Sequence, residues 1–171
     1  MAEFESAFEK TIQNEGGYAL SSVKGDRGGQ TYAGIARNFH PEWPGWRYVD
    51  KGTTSDIELT ALVEQFYREG FWDRINGEVV KDQAIAESIY DFAVNAGPVV
   101  AIKLAQVVVG VTPDGIVGPV TSSALNQTNS EVFRLKYALA KVARYATICR
   151  KDPVQKKFLL GWINRTLEGL S

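Results

Sequence analysis

The stretch NEGGYALSSVKGDRGGQT, Asn14 to Thr31, sets one glutamate, one aspartate and a closing threonine among five glycines. Two carboxyl groups and a hydroxyl are the parts that acid-catalysed sugar hydrolysis requires. One carboxyl must be protonated at the leaving oxygen, and a second group must act on the other face of the sugar. In an inverting enzyme that second group orients a water; in a retaining enzyme it is the nucleophile. Glu15 is the candidate acid, Asp26 the candidate for the second role, and Thr31 can help to hold water. Two simpler readings stand beside this one. Glu15 can be a buried helix-end acid bonded to a loop amide or an arginine, and Asp26 can be a turn residue in GDRGG, a good turn sequence in its own right.

The elements around these residues decide what they can reach. Phe4, Ala7, Phe8, Thr11 and Ile12 recur at helical spacing, which predicts an amphipathic helix over 3–14. At 100° per residue Glu15 continues that apolar stripe. A carboxylate there is costly unless it is paired, protonated or at the edge of a cleft. Burial against apolar groups keeps a carboxyl protonated near neutrality, and Phe4, Phe8 and Ile12 are the available wall. Gly16 and Gly17 then end the helix by admitting a left-handed cap.

Residues 18–53 carry Gly, Pro, Ser and aromatics with no helical period. Short strands are expected around Thr31–Ile35 and near Tyr48. A connection of this length in a compact chain usually carries function. Trp43, Trp46 and Tyr48 are expected to pin the loop to the core rather than to stack on sugar. Helical signals resume at Ser55, where Glu58 completes an S-x-x-E capping box. Further helices are expected over 82–95, over the apolar run Val99–Val109, from Pro119, from a Ser130 cap to about Cys149, and from Asp152-Pro153 to about Glu168. The turn TPDGIVGP separates two of them. Asp91 is expected to pair with an arginine. The fold class is therefore mainly α, with a small irregular or β lobe after the first helix.

Composition removes several alternatives. With 44% apolar and 23% charged residues in 171, the chain can bury a core, and a net charge of −1 gives no general attraction to nucleic acid. The single cysteine, Cys149, cannot form an intrachain disulfide and is expected to be a small buried hydrophobe. The single histidine, His40, lacks a nucleophile signature around it, and zinc is not expected. The start MAEFESAFEK is not a signal peptide, and no window approaches the length of an apolar membrane span. The expectation is synthesis in the cytoplasm and delivery by another component.

In order along the chain, NEGGY, DRGGQTYAGI, FYREGFW, DFAVNAGP and DGIVGP resemble the EGGY-type N-acetylmuramidases of glycoside hydrolase family 108. That family includes phage endolysin-like proteins and muramidases once called secretion activators. The resemblance spans nearly the whole chain. It implies a lysozyme-like fold, with the Glu of EGGY, Glu15 here, as the catalytic acid, and peptidoglycan as the substrate. It divides the chain into a muramidase region, 1–97, and a predicted peptidoglycan-binding helical region, 98–171. No linker separates the two, so they are expected to pack as one body.

A more distant similarity to bacteriophage-type lysozymes, which have a Thr just before a Gly-Ile, assigns Asp26 and Thr31 their catalytic roles. Tyr18, Gln30, Tyr32, Tyr90 and Asn95 are candidate sugar contacts. The Asn95 amide would meet an N-acetyl group or cap its helix. The implied activity is hydrolysis of the β-1,4 bond between N-acetylmuramic acid and N-acetylglucosamine, by inversion, without metal or cofactor. It would serve lysis or protein release, with a holin or similar pore for export and a monomer favoured. The rivals are a lytic transglycosylase using Glu15 alone and a non-catalytic, peptidoglycan-binding secretion accessory.

Overall fold

Glycines set the first boundary. In the computed structural model, which describes residues 1–22, 28–53 and 56–170, helix α1 runs Phe4–Asn14 and gives way to Gly16 and Gly17 at φ 88° and 78°. Both angles are left-handed, the conformation in which a helix end is cheaply capped by glycine. Phe4, Ala7, Phe8, Thr11 and Ile12 are buried, so the apolar stripe is the core face.

The chain divides into two compact units, one of residues 3–73 and one of residues 74–171 together with Met1 and Ala2. The first unit holds α1 and a three-stranded antiparallel sheet of β1 (Leu20–Ser22), β2 (Gln30–Tyr32) and β3 (Ile35–Ala36), in that order. It continues through a single helical turn, α2 (Trp46–Val49), and helix α3 (Ile57–Tyr67). A π-turn, Arg68–Trp72, extends α3, with the Asp73 N–H donating to the Arg68 carbonyl at 2.9 Å.

The strand expected near Tyr48 is α2 instead. Pro44 and Gly45 start a turn there, and Tyr48 and Val49 donate to the Gly45 carbonyl, which outweighs the strand propensity of the Trp-Arg-Tyr-Val sequence. Trp43 and Trp46 are anchors as expected. Both are buried, Trp43 Nε1 donates to the Leu62 carbonyl and Trp46 Nε1 to the His40 carbonyl. The cap of α3 is Asp56, whose side chain accepts from the Glu58 amide; Ser55 lies outside the described residues.

Aromatic rings carry the core of this unit from loop to helix. Trp46 meets Trp43, Trp43 meets Phe66, Phe66 meets Tyr67, and Tyr67 meets Phe8, with centroid separations of 5.1, 6.5, 5.4 and 5.8 Å. Phe8 stacks on Phe4 at 5.3 Å, and the Arg68 guanidinium covers Phe4 while pairing with Glu5. Such ring pairs contribute roughly 0.5–1.5 kcal/mol each beyond their burial and fix mutual orientation.

The second unit is helical. A 3₁₀ turn, Gly77–Val79, precedes α4 (Gln83–Ala96), α5 (Pro98–Val109), α6 (Pro119–Gln127) and α7 (Ser130–Lys151). A 3₁₀ turn, Pro153–Phe158, leads into α8 (Leu159–Glu168). The long helix is capped by Asn129, one residue before the expected Ser130, whose hydroxyl bonds Asp82 instead. Pro119 opens α6 and Asp152 caps the last segment. Cys149 is buried on α7.

The turn between α5 and α6 is held by one fully buried side chain, Gln106. Its Nε2 lies within hydrogen-bonding distance of Asp114 Oδ1, the Ile116 carbonyl and Thr121 Oγ1, and its Oε1 accepts from the Gly115 amide. Among the described residues no helix is long and apolar enough to cross a membrane.

Candidate active site

Glu15 sits at the C-cap of α1, half-buried, its amide bonded to the Thr11 carbonyl at 2.9 Å. Its backbone therefore completes the helix while its side chain leaves it. That side chain meets the hairpin formed by β2 and β3. Tyr32 pairs with Ile35, which leaves Ala33 and Gly34 as a two-residue turn. Both are left-handed, at φ 47° and 78°, as the type I′ turn of tight hairpins requires. Glycine accepts that geometry readily; alanine adopts it at a cost of about 1–2 kcal/mol.

Gly34 has a second reason to lack a side chain. A Cβ there would lie 2.4 Å from the Tyr67 hydroxyl and 3.0 Å from both Cγ and Oε2 of Glu15. The hairpin tip thus fits between the end of α1 and the end of α3. Tyr67 is 2% exposed and donates its hydroxyl to the Ala33 carbonyl at 2.9 Å.

Thr31 lies half-buried on β2, paired with Ser21 on one side and Ala36 on the other, in the strand that leads to this turn. Gln30 is also half-buried, on the face opposite Thr31. Asp26 lies outside the described residues. Tyr18 follows the two glycines and is 40% exposed. Burial, then the charge of Glu64, pushes its phenol above the ordinary value, and Tyr18 in turn raises Tyr32 after burial. These influences bring Tyr18, Tyr32 and the half-buried carboxylate of Glu64 into one neighbourhood.

Two of the expected sugar contacts are core residues. Tyr32 is 0% exposed and stacks on Trp43 at 6.3 Å, and Tyr90 is 1% exposed. Neither offers surface to a sugar, because each phenol ring fills space between packed elements. Asn95 is exposed on the last turn of α4, its Nδ2 donating to the Asp91 carbonyl at 2.7 Å. Asp91 pairs with Arg165 at 3.2 Å, the arginine partner expected for it.

Sequence reasoning did not single out Tyr67, Gly34 or Glu64 for roles of their own. The signal for Tyr67 was a tyrosine on an otherwise apolar helix face, since a buried phenol needs a partner for its hydroxyl. No group of three or more His, Cys, Asp or Glu side chains among the described residues could hold a metal ion. His40 packs edge-on against Phe66 at 4.8 Å.

Comparison with known proteins adds an independent line. Residues 8–97 match the family described as Glycosyl hydrolase 108, and residues 100–167 match one described as Predicted Peptidoglycan domain. No curated protein matches the chain. Among solved structures it is similar to that reported as "Structure of Brucella abortus SagA". The TM-score is 0.74 and the identity 24%, covering 98% of this chain and 91% of that one. The sequence division near 97 differs from the division by compactness at Asp73, because α4 packs with α5 in the second unit.

Proposed function

This chain belongs to the glycosyl hydrolase 108 family, and we propose that it cleaves the β-1,4 bond between N-acetylmuramic acid and N-acetylglucosamine with Glu15 as general acid. It is a glycoside hydrolase with a mainly helical, lysozyme-like fold, and its substrate is peptidoglycan. The observation that carries the Glu15 assignment is its position. It is the half-buried carboxyl at the glycine exit of α1, with its side chain against the hairpin tip that follows Thr31.

In this reading the Glu15 carboxyl gives its proton to the bridging oxygen as the bond from the muramic acid C1 breaks. Asp26, with Thr31, orients a water on the opposite face. That water bonds to C1, its proton passes to Asp26, and the configuration inverts. Inversion needs room for the water, a carboxyl separation of about 6.5–9.5 Å, whereas about 5–5.5 Å serves retention. Tyr18 and Gln30 contact sugar, and Asn95 contacts an acetamido group. Tyr32 supports the hairpin by packing on Trp43. Residues 1–97 form the hydrolase region, and residues 98–171 hold the glycan. A holin or similar pore delivers the enzyme, for lysis or for protein release.

Mass spectrometry of digested purified peptidoglycan tests the reaction. Hydrolysis leaves reducing ends that carry one added water. A 1,6-anhydro-muramic end would instead identify a lytic transglycosylase. Binding to walls without any released fragment would identify a non-catalytic accessory.

A further inference from the structure

We propose that the outward face of α7 docks on an anionic lipid surface, its exposed aliphatic stripe entering the acyl boundary while neighbouring lysines and arginines meet lipid phosphates. This contact is separate from the role of Glu15. Charge is distributed unevenly along the chain. Residues 132–167 hold nine of the 19 Lys and Arg and one of the 20 Asp and Glu, Asp152, a net charge of +8. The rest of the chain carries −9. A near-neutral total therefore conceals a strongly basic stretch, the asymmetry that marks contact with a polyanion or a membrane. Three of the nine cations are engaged within the protein. Arg134 donates to the Gly169 carbonyl, Arg165 pairs with Asp91, and Lys141 is buried against the Phe92 and Tyr137 rings. Lys136, Arg144, Arg150, Lys151, Lys156 and Lys157 are exposed or half-buried.

Apolar side chains accompany this charge at the surface. Helix α7 turns Phe133, Tyr137, Ala138, Lys141, Tyr145 and Cys149 inward. On its other side Val132, Leu135, Leu139 and Val142 are 44, 49, 71 and 37% exposed. Steps of three, four and three residues place them in one stripe, which the exposed Ala146 continues. Lys136 follows Leu135 at the edge of the stripe, and Arg150 stands one turn beyond Ala146 at its end. The 22 residues of α7 give this face a length of about 33 Å. The turn after α7 repeats the combination. Val154 is 65% exposed and Phe158 46%, and Lys157 Nζ lies 4.9 Å from the centre of the Phe158 ring.

The occupant must suit both features. A second copy of the chain would set another +8 against the first. A nucleic acid would reward the cations and leave the aliphatic stripe in water. A bilayer with anionic headgroups serves both. A basic amphipathic helix lies in the interface with its apolar side in the acyl boundary, and long cationic side chains reach the phosphates.

The test is sedimentation of the full chain with large vesicles of phosphatidylcholine, alone or with about 30% phosphatidylglycerol, at about 0.1 M and about 0.5 M salt. Wild type is expected to partition at least about tenfold more strongly onto the anionic vesicles, with the excess reduced at the higher salt. Leu139→Glu is expected to weaken that partition about tenfold with Tm unchanged, and Lys136→Gln about fivefold. Equal partition onto both vesicles, or none, overturns the proposal. So does wild-type partition by Leu139→Glu, because the attraction would then be purely ionic. Should Leu139→Glu not fold, Leu139→Ser must weaken the same partition. If Leu139→Glu weakens binding to purified peptidoglycan rather than to vesicles, the stripe holds wall polymer and the proposal falls.

Discussion

Two turns in this protein are each held by one buried polar side chain from a neighbouring helix, yet they are built to different ends. At the hairpin tip, Tyr67 donates to the Ala33 carbonyl, and the turn carries a left-handed alanine and a glycine crowded by two side-chain oxygens. At the turn between α5 and α6, Gln106 satisfies several groups at once, and the left-handed residues, Gly110 and Gly115, are both glycines. The first turn spends backbone strain to bring groups together beside a carboxyl. The second has its polar groups paired and gains stability. Substitutions at the first should therefore cost turnover, and substitutions at the second should cost folding.

The largest expected contrast comes from Gly34→Val. The branched side chain meets Tyr67 and Glu15 and adds left-handed strain of about 1–3 kcal/mol. A displacement of Glu15 by about 1 Å corresponds to roughly a hundredfold loss of turnover, measured at a temperature where the variant is fully folded. Gln106→Leu comes next and acts in the opposite sense. It leaves the Gly115 amide without its partner and removes the Gln106 donor from Thr121, at about 2–4 kcal/mol of stability by urea denaturation. Turnover per folded molecule should be unchanged. Tyr18→Ala should raise KM about fivefold with kcat nearly constant, as the loss of one exposed ring contact worth about 1 kcal/mol.

Asp114→Asn gives the smallest effect and fixes its sign. Hydrogen bonds from Gln106 and the Ile116 amide hold the Asp114 carboxyl below its ordinary 3.8. The folded state then binds fewer protons than the unfolded state across that interval. The resulting stability is present above pH 3.8 and is lost as pH falls through the lower folded-state value. Acid melts from pH 5 to pH 2 should show a shallower loss for the asparagine variant than for wild type.

The two regions also differ in how far the sequence revealed them. Helical periods announced α1, α3 and α4, whose apolar faces repeat over several turns; residue types favoured a helix over a strand at Val99–Val109, and proline and cap signals marked α6 to α8. Glu15 stood out for the same reason, as a carboxyl continuing a stripe that ends at two glycines. The hairpin was readable around Thr31–Ile35, but its turn was not. Ala33 opposes its own propensity there, and only the tertiary partners Tyr67 and Glu15 explain why the chain accepts it.

Tyr67 and Gln106 were visible as members of helices, while their roles depend on residues far along the chain. Helix caps slipped by one residue at Asp56 and Asn129, since Ser-Asp and Asn-Ser each present two good caps. Tyr32 and Tyr90 looked like sugar contacts because a phenol suits both a core and a cleft, and burial alone separates the two.

The central claim, that Glu15 supplies the proton, is tested most directly by the Glu15→Gln variant on purified cell walls. The two enzymes are compared at equal folded concentration, by clearance rate and released muropeptides. The account predicts that the variant stays folded and binds walls while its rate falls by about 10²–10⁴. Clearance at the wild-type rate would contradict it.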